Sequence, residues 1–218
     1  MKLFVYLILL TGVMAQNCPS VSLQIDPLVN ISEYIRKSWY VQKQQLNGYQ
    51  SLEDLYCVTA TYNIDKHSHV PFFNGPVISV YNYANLNQVN GLSSNNSTIL
   101  CAREPNTSSP EKLIVSPCFL PNILAGPYWI MAVGPNPENY EWSIVIGGQP
   151  SVRTSNTTCT TKTVGVKGSG LWLLTRSRVL NETMIDNMYK IMYEKGISKN
   201  FLKNVSQIGC KYNGAFIK

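Results

Sequence analysis

The sequence predicts an all-β fold: an eight-stranded antiparallel up-and-down β-barrel with one C-terminal α-helix packed outside. Three observations point there. Eight short runs are rich in aromatic and β-branched residues. Clusters of Gly, Pro, Asn and Ser separate them. After the eighth run the apolar period changes from strand-like to helical. Sequential strands with mostly short links favour closure on themselves, which removes exposed sheet edges.

Composition excludes several classes. Of 218 residues, 14% are charged and 44% hydrophobic. An ordinary soluble domain carries about 25% charged residues, but a long disordered chain needs more charge and fewer aromatics. The formal charge of +6 comes from 18 scattered Lys and Arg. With no run of five or six, no nucleic-acid partner is expected. The length suits one domain.

Taken in chain order, residues 1–15 read as a secretory signal peptide. Lys2 gives the positive start, Leu3 to Leu10 is unbroken apolar, and Val13-Met14-Ala15 ends in small residues. Cleavage after Ala15 would leave residues 16–218 as one barrel domain, secreted and extracellular. No later segment reaches the ~18 apolar residues of a membrane span, so no transmembrane anchor is expected.

The eight strand runs are residues 39–46, 57–64, 77–84, 98–103, 112–118, 128–133, 140–146 and 171–176. Asn47-Gly48, Asn74-Gly75-Pro76, residues 105–110, Gly134-Pro135-Asn136-Pro137 and Gly147-Gly148 mark turns between them. The segment between Gly147 and Leu171 is long, and loops of that length are often functional or mobile. Phe72-Phe73, after the second run, is expected near the open end as a lid over a ligand, with a protein contact patch as the alternative. In the helix, Ile185, Met188, Tyr189 and Met192 share one face. Asn181 suits the N-cap, Glu182 the first turn and Gly196 the stop. That face should lie on the outside of the barrel.

Two features agree with secretion. The cysteines are Cys18, Cys57, Cys101, Cys118, Cys159 and Cys210, with no CxxC pair. Six cysteines allow fifteen connectivities, among which spacing does not choose. Asn-x-Ser/Thr sequons stand at Asn30, Asn95, Asn96, Asn106, Asn156, Asn181 and Asn204, so a glycoprotein is expected. A glycan on Asn181 would compete with its capping role. His67 and His69 are the only histidines and read as exposed loop residues, so no metal site is expected. No carboxylate pair stands out for acid–base work, and no catalytic residue is assigned.

The order of parts resembles the lipocalin family over residues 18–210. Within it, the branch of apolipoprotein D, the bacterial lipocalins and the bilin-binding proteins is the most similar. Ile31-Ser32-Glu33-Tyr34-Ile35-Arg36-Lys37-Ser38-Trp39-Tyr40 resembles the first motif, a short 3₁₀ turn leading into Gly-x-Trp-Tyr, with Lys37 in place of Gly. Cys57-Val58-Thr59-Ala60-Thr61-Tyr62 and Val80-Tyr81-Asn82 are similar to strands two and three. Gly126-Pro127-Tyr128-Trp129-Ile130-Met131 and Asn139-Tyr140-Glu141-Trp142-Ser143-Ile144-Val145 resemble later strands, although the usual Thr-Asp-Tyr is missing. Leu171-Trp172-Leu173-Leu174-Thr175-Arg176 matches the third motif. Their order and spacing together are specific.

The resemblance implies that Trp39 closes one barrel end with Arg176 laid on it, a structural pair. Lys37 costs little there unless the turn needs positive φ. It implies disulfides Cys18–Cys159 and Cys57–Cys210, leaving Cys101–Cys118 across a hairpin. It implies a cavity sized for one small ligand. Strand alternation then suggests Tyr62, Val80, Asn82, Tyr128, Trp172 and Leu174 as lining residues. On the sixth strand, Trp129 and Met131 are the alternative parity to Tyr128 and Ile130. The implied function is a non-enzymatic carrier without a resident cofactor. Its partner would be a small hydrophobic molecule: a lipid, sterol, retinoid or carotenoid, or bilin. Two other classes are carried beside it. One is a lipocalin-fold enzyme, which in its thiol form needs a free cysteine. The other is a secreted surface-interaction protein using the barrel as scaffold.

Overall fold

The eight predicted runs close into one barrel in the computed structural model, which describes residues 17–94 and 99–218. The signal peptide and the sequons at Asn95 and Asn96 lie outside the described residues. The barrel strands are β1 (Trp39–Gln45), β2 (Tyr56–Asp65), β3 (Val77–Asn85), β4 (Leu100–Arg103), β5 (Lys112–Pro117), β6 (Gly126–Asn136), β7 (Asn139–Ile146) and β10 (Leu171–Thr175). Each pairs antiparallel with its sequence neighbour, and β10 pairs with both β7 and β1, which closes the ring. A short hairpin of β8 (Val152–Arg153) and β9 (Cys159–Thr160) fills the long connection before β10. Strand β11 (Leu202–Asn204) joins β1 where β2 diverges from it. None of these three short strands is announced by a run of β-forming residues.

Alternation sorts the two faces. Inward side chains include Trp39, Val41, Val58, Ala60, Ile78, Ala102, Leu113, Ile130 and Val145, which form one buried cluster. Outward Met131, Ile144, Ile146, Leu171 and Leu173 form a second, under helix α2 (Glu182–Glu194). That helix buries Ile185, Met188 and Met192 against them. A fully buried side chain of this size contributes about 1.5–3 kcal/mol, so this stripe is enough to seat the helix.

Asn181 caps α2, its Oδ1 accepting from Met184 N at 3.1 Å. N-glycans attach through Nδ2, so the cap and a sugar use different atoms and do not exclude one another. All five sequon asparagines among the described residues are exposed.

Because antiparallel connections alternate ends, the loops fall into two sets. The short helix α1 (Ile31–Tyr34) leads into β1 at the end that Trp39 closes. Connections 66–76, 104–111 and 137–138 share that end. Connections 46–55, 118–125 and 147–170, with residues 86–94, surround the opposite mouth. Phe72 and Phe73 are therefore at the closed end and cannot be a lid over the mouth. Phe73 packs with Val70, Val77, Cys101 and Cys118 on the outer face of the barrel, and Phe72 is almost fully exposed. Strand alternation puts the connection after β2 at the end where β1 begins.

Three disulfides fasten the chain: Cys18–Cys159, Cys57–Cys210 and Cys101–Cys118. The second ties the tail to β2. The tail then lies over the outer face, where Thr61 Oγ1 donates to Phe216 O at 2.6 Å and Lys218 Nζ donates to Tyr62 O at 2.7 Å. Cys57 and Cys210 lie 153 residues apart, against 17 for Cys101 and Cys118. Loop-closure entropy grows with that separation. The pairwise Cys→Ser change at Cys57/Cys210 should therefore cost about 4–5 kcal/mol and the one at Cys101/Cys118 about 3 kcal/mol, measured by denaturant unfolding.

Candidate functional site in the barrel lumen

The closed end is built from backbone carbonyls around one guanidinium. Arg176 lies over the Trp39 ring with its Cζ 3.5 Å from the centroid. Its Nε donates to Tyr140 O at 3.1 Å, and its Nη2 to Glu33 O and Tyr34 O at 2.9 and 3.0 Å. Its Nη1 donates to Lys37 O and Ser38 O. Trp39 Nε1 donates to Tyr34 O at 2.9 Å. Burial pulls the Arg176 pKa down to about 10, still charged at neutral pH. Lys37 is not among the residues with positive φ, so the missing family Gly costs nothing in backbone strain. Glu33 receives two hydrogen bonds from Arg36 and one from Tyr140 N, and the Arg36 hydrogen bond holds its carboxyl below the usual range. Together these contacts make the end a plug rather than a pore.

Above the plug lies a chain of phenols. The Tyr34 and Tyr128 hydroxyls are 2.7 Å apart, as are those of Tyr62 and Tyr128. Ser143 Oγ donates to the Tyr34 hydroxyl at 3.5 Å. Burial raises all three phenol pKa values, that of Tyr34 to about 12, so they are neutral donors at physiological pH. Three phenols carry three O–H protons and their two mutual bonds use two. One O–H is left to donate to something else inside the barrel. The Trp172 ring stacks on Tyr128, centroids 6.4 Å apart, and its Nε1 donates to Gln50 Oε1 at 3.4 Å.

Each lining residue suggested from sequence takes the inward parity. Tyr62 pairs with Val80 and Ala60 with Asn82 across β2–β3, so all four share a face. Tyr62, Val80 and Leu174 are buried in the lumen cluster, and Tyr128 and Trp172 pack on it partly buried. Tyr128 and Ile130 face inward, while Trp129 and Met131 pack in the outer cluster. Asn82 is exposed despite its inward parity, between buried Val80 and Ala84. Solvent thus reaches the lumen side of β3, and partly accessible Leu100, Val115, Tyr128 and Trp172 continue that surface.

Two lumen residues were not legible. Tyr34 sits on α1, outside any strand alternation. Gln44 is turned inward by a β-bulge between Val41 and Lys43, which breaks the parity counted from Trp39. Its register partner is Trp172, and its amide is fully buried with neither Oε1 nor Nε2 hydrogen-bonded. An unpaired buried amide costs about 1–3 kcal/mol. Gln44→Met keeps the shape without the polar atoms and should raise stability by about 1 kcal/mol in denaturant unfolding.

A separate surface cleft of about 280 Å³ lies outside the barrel, between Glu141, Thr175 and the residues leading into α2. Its buried polar group, Thr175 Oγ1, is already satisfied, accepting from Gln42 Nε2 at 2.8 Å and donating to Ser177 O at 2.5 Å. All six cysteines are in disulfides, so the thiol-dependent enzyme weighed from sequence has no nucleophile here.

No family model matches the sequence, nor does any curated protein. The fold is nevertheless found among solved structures. Apocrustacyanin C2 is similar at 16% identity and a TM-score of 0.56, covering 91% of this chain and 94% of that one. Lobster apocrustacyanin A1 is similar at 15% identity and a TM-score of 0.57, with the same coverage. Insecticyanin from the tobacco hornworm Manduca sexta is similar at 14% identity and a TM-score of 0.50, covering 87% of this chain and 85% of that one. These neighbours are lipocalins, and the closed eight-stranded barrel with one helix outside is the lipocalin fold.

Proposed function

We propose that this protein is a secreted, non-enzymatic carrier that holds one small hydrophobic molecule in the barrel lumen. The observation that carries the reading is the lumen surface from Asn82 to Tyr128 and Trp172, apolar in the main and reached by solvent. Burial of apolar surface would supply the binding energy, at roughly 25 cal/mol per Å². Asn82 and the spare phenol proton would orient the ligand, favouring one with a hydrogen-bond acceptor on an otherwise apolar frame. A lipid, sterol, retinoid, carotenoid or bilin meets that description. Within the lipocalins we read the chain as nearest the apolipoprotein D, bacterial lipocalin and bilin-binding branch, on the Pro127-Tyr128-Trp129 and Trp172 motifs. Secretion is supported by the signal-like residues 1–15, the three disulfides and the exposed sequons. Among the described residues no helix is long and apolar enough to cross a membrane.

Native mass spectrometry and absorbance of the unstripped secreted protein test the reading. A single bound small molecule is expected, and a visible band would select a carotenoid or bilin. A protein that carries nothing and takes up none of these classes would overturn it.

A further inference from the structure

The mouth of the barrel is ringed by apolar side chains with nothing packed on them. The segment Lys162-Thr163-Val164-Gly165-Val166-Lys167 forms a tight loop, closed by Lys162 N donating to Gly168 O at 2.7 Å. Its tip presents Val164 and Val166, 68% and 61% exposed, and both flanking lysines are exposed. The neighbouring connection 118–125 presents Phe119, Ile123 and Leu124, with Ile123 75% exposed. The two loops are joined, since Lys167 Nζ donates to Ile123 O at 2.8 Å. Connection 46–55 approaches the same tip at Gly48, where a side-chain Cβ, if present, would stand 3.8 Å from Gly165 N.

We propose that this end docks on a lipid surface bearing anionic headgroups. The apolar tips enter the boundary between headgroups and acyl chains, and Lys162 and Lys167 meet phosphates on either side of them. Two observations favour lipid over a protein partner. The apolar residues stand on separate loop tips around an opening, whereas a protein partner needs a continuous complementary face of about 800 Å². A fluid interface accepts separated tips. The charge next to the apolar tip is basic on both sides, the pattern that anionic leaflets attract. The acids on the mouth connections are Glu53 and Asp54, both on connection 46–55, and Asp54 accepts a hydrogen bond from Ser51 N at 2.8 Å. Docked this way, the mouth faces the lipid. The proposal does not depend on the carrier reading. If both hold, a ligand passes between bilayer and lumen without crossing water.

Vesicle flotation of the full chain, purified from secreting cells, tests the proposal. The chain should float with phosphatidylcholine vesicles containing about 30% phosphatidylserine, and at least about threefold less with phosphatidylcholine alone. Ile123→Asp/Val164→Asp should lower flotation about tenfold or more, by charging the inserted tips. Lys162→Glu/Lys167→Glu should remove the preference for phosphatidylserine. Because all four positions are exposed, circular dichroism and thermal melting should match the wild type. The gentler Val164→Ser/Val166→Ser serves if the first variant misfolds. The proposal is overturned if the wild type does not float with either vesicle, or if both tip variants float as it does. It is also overturned if sedimentation shows a dimer that Ile123→Asp/Val164→Asp dissolves, which would give the patch to a second copy.

Discussion

Replacing Arg176 by Ala should lower the free energy of unfolding by about 3–5 kcal/mol, seen as a fall of roughly 10 °C in melting temperature. The change removes a desolvated cation from the face of Trp39, an interaction of about 2 kcal/mol. It also removes the guanidinium's five hydrogen bonds to the carbonyls of Glu33, Tyr34, Lys37, Ser38 and Tyr140, which tie the stretch 33–38 to β7. Arg176→Lys should recover only part of the loss. One ammonium cannot lie flat on the indole while donating in five directions. Equal stability of Arg176→Ala and wild type in denaturant unfolding would show that the plug does not hold the barrel end.

The second large effect belongs to the phenol chain. Tyr128→Phe keeps the ring and removes the hydroxyl to which both Tyr34 and Tyr62 are bonded. Two buried phenols then lose their partner, at about 1–3 kcal/mol each, so a total of about 2–4 kcal/mol is expected. The triple change of Tyr34, Tyr62 and Tyr128 to Phe should cost less than the single one. It removes all three hydroxyls and leaves only the weak Ser143 contact to be replaced. A triple variant less stable than Tyr128→Phe would mean that the phenols act independently. The same single variant should also weaken binding of ligands that carry an acceptor and leave a plain hydrocarbon chain unaffected.

Much of the barrel is legible in the order of residues. Strand runs and turn residues located all eight barrel strands to within a few positions, because period-two alternation is a local property. β6 was the least well bounded: it extends through Gly134-Pro135-Asn136, residues that read as a turn. The helix was equally plain, since Ile185, Met188 and Met192 fall on one 3.6-residue face and Asn181 is a competent cap. What stayed hidden depends on register or on distance. The bulge in β1 exists only through its pairing with β10, so the inward turn of Gln44 leaves no mark in the order of residues. Strand β11 is polar and three residues long, and it forms because β1 has an unpaired edge there. Tyr34 joins the lumen from a one-turn helix, where no strand parity applies. Phe72-Phe73 shows the opposite case, in which the residues were noticed and the topology that assigns their end was not applied.

The central claim is that the lumen, and not the outer surface, takes the ligand. Its most direct test is titration of the ligand-stripped protein with oleate, cholesterol, retinol and biliverdin, beside a variant with Ala84→Trp, which fills the lumen between Asn82 and the mouth. At least one ligand should bind wild type with one-to-one stoichiometry and a Kd of about 10 μM or below, quenching tryptophan fluorescence, and should bind Ala84→Trp at least about tenfold more weakly. Equal binding to a folded Ala84→Trp protein, or no binding by any of the four ligands at about 100 μM, would contradict it.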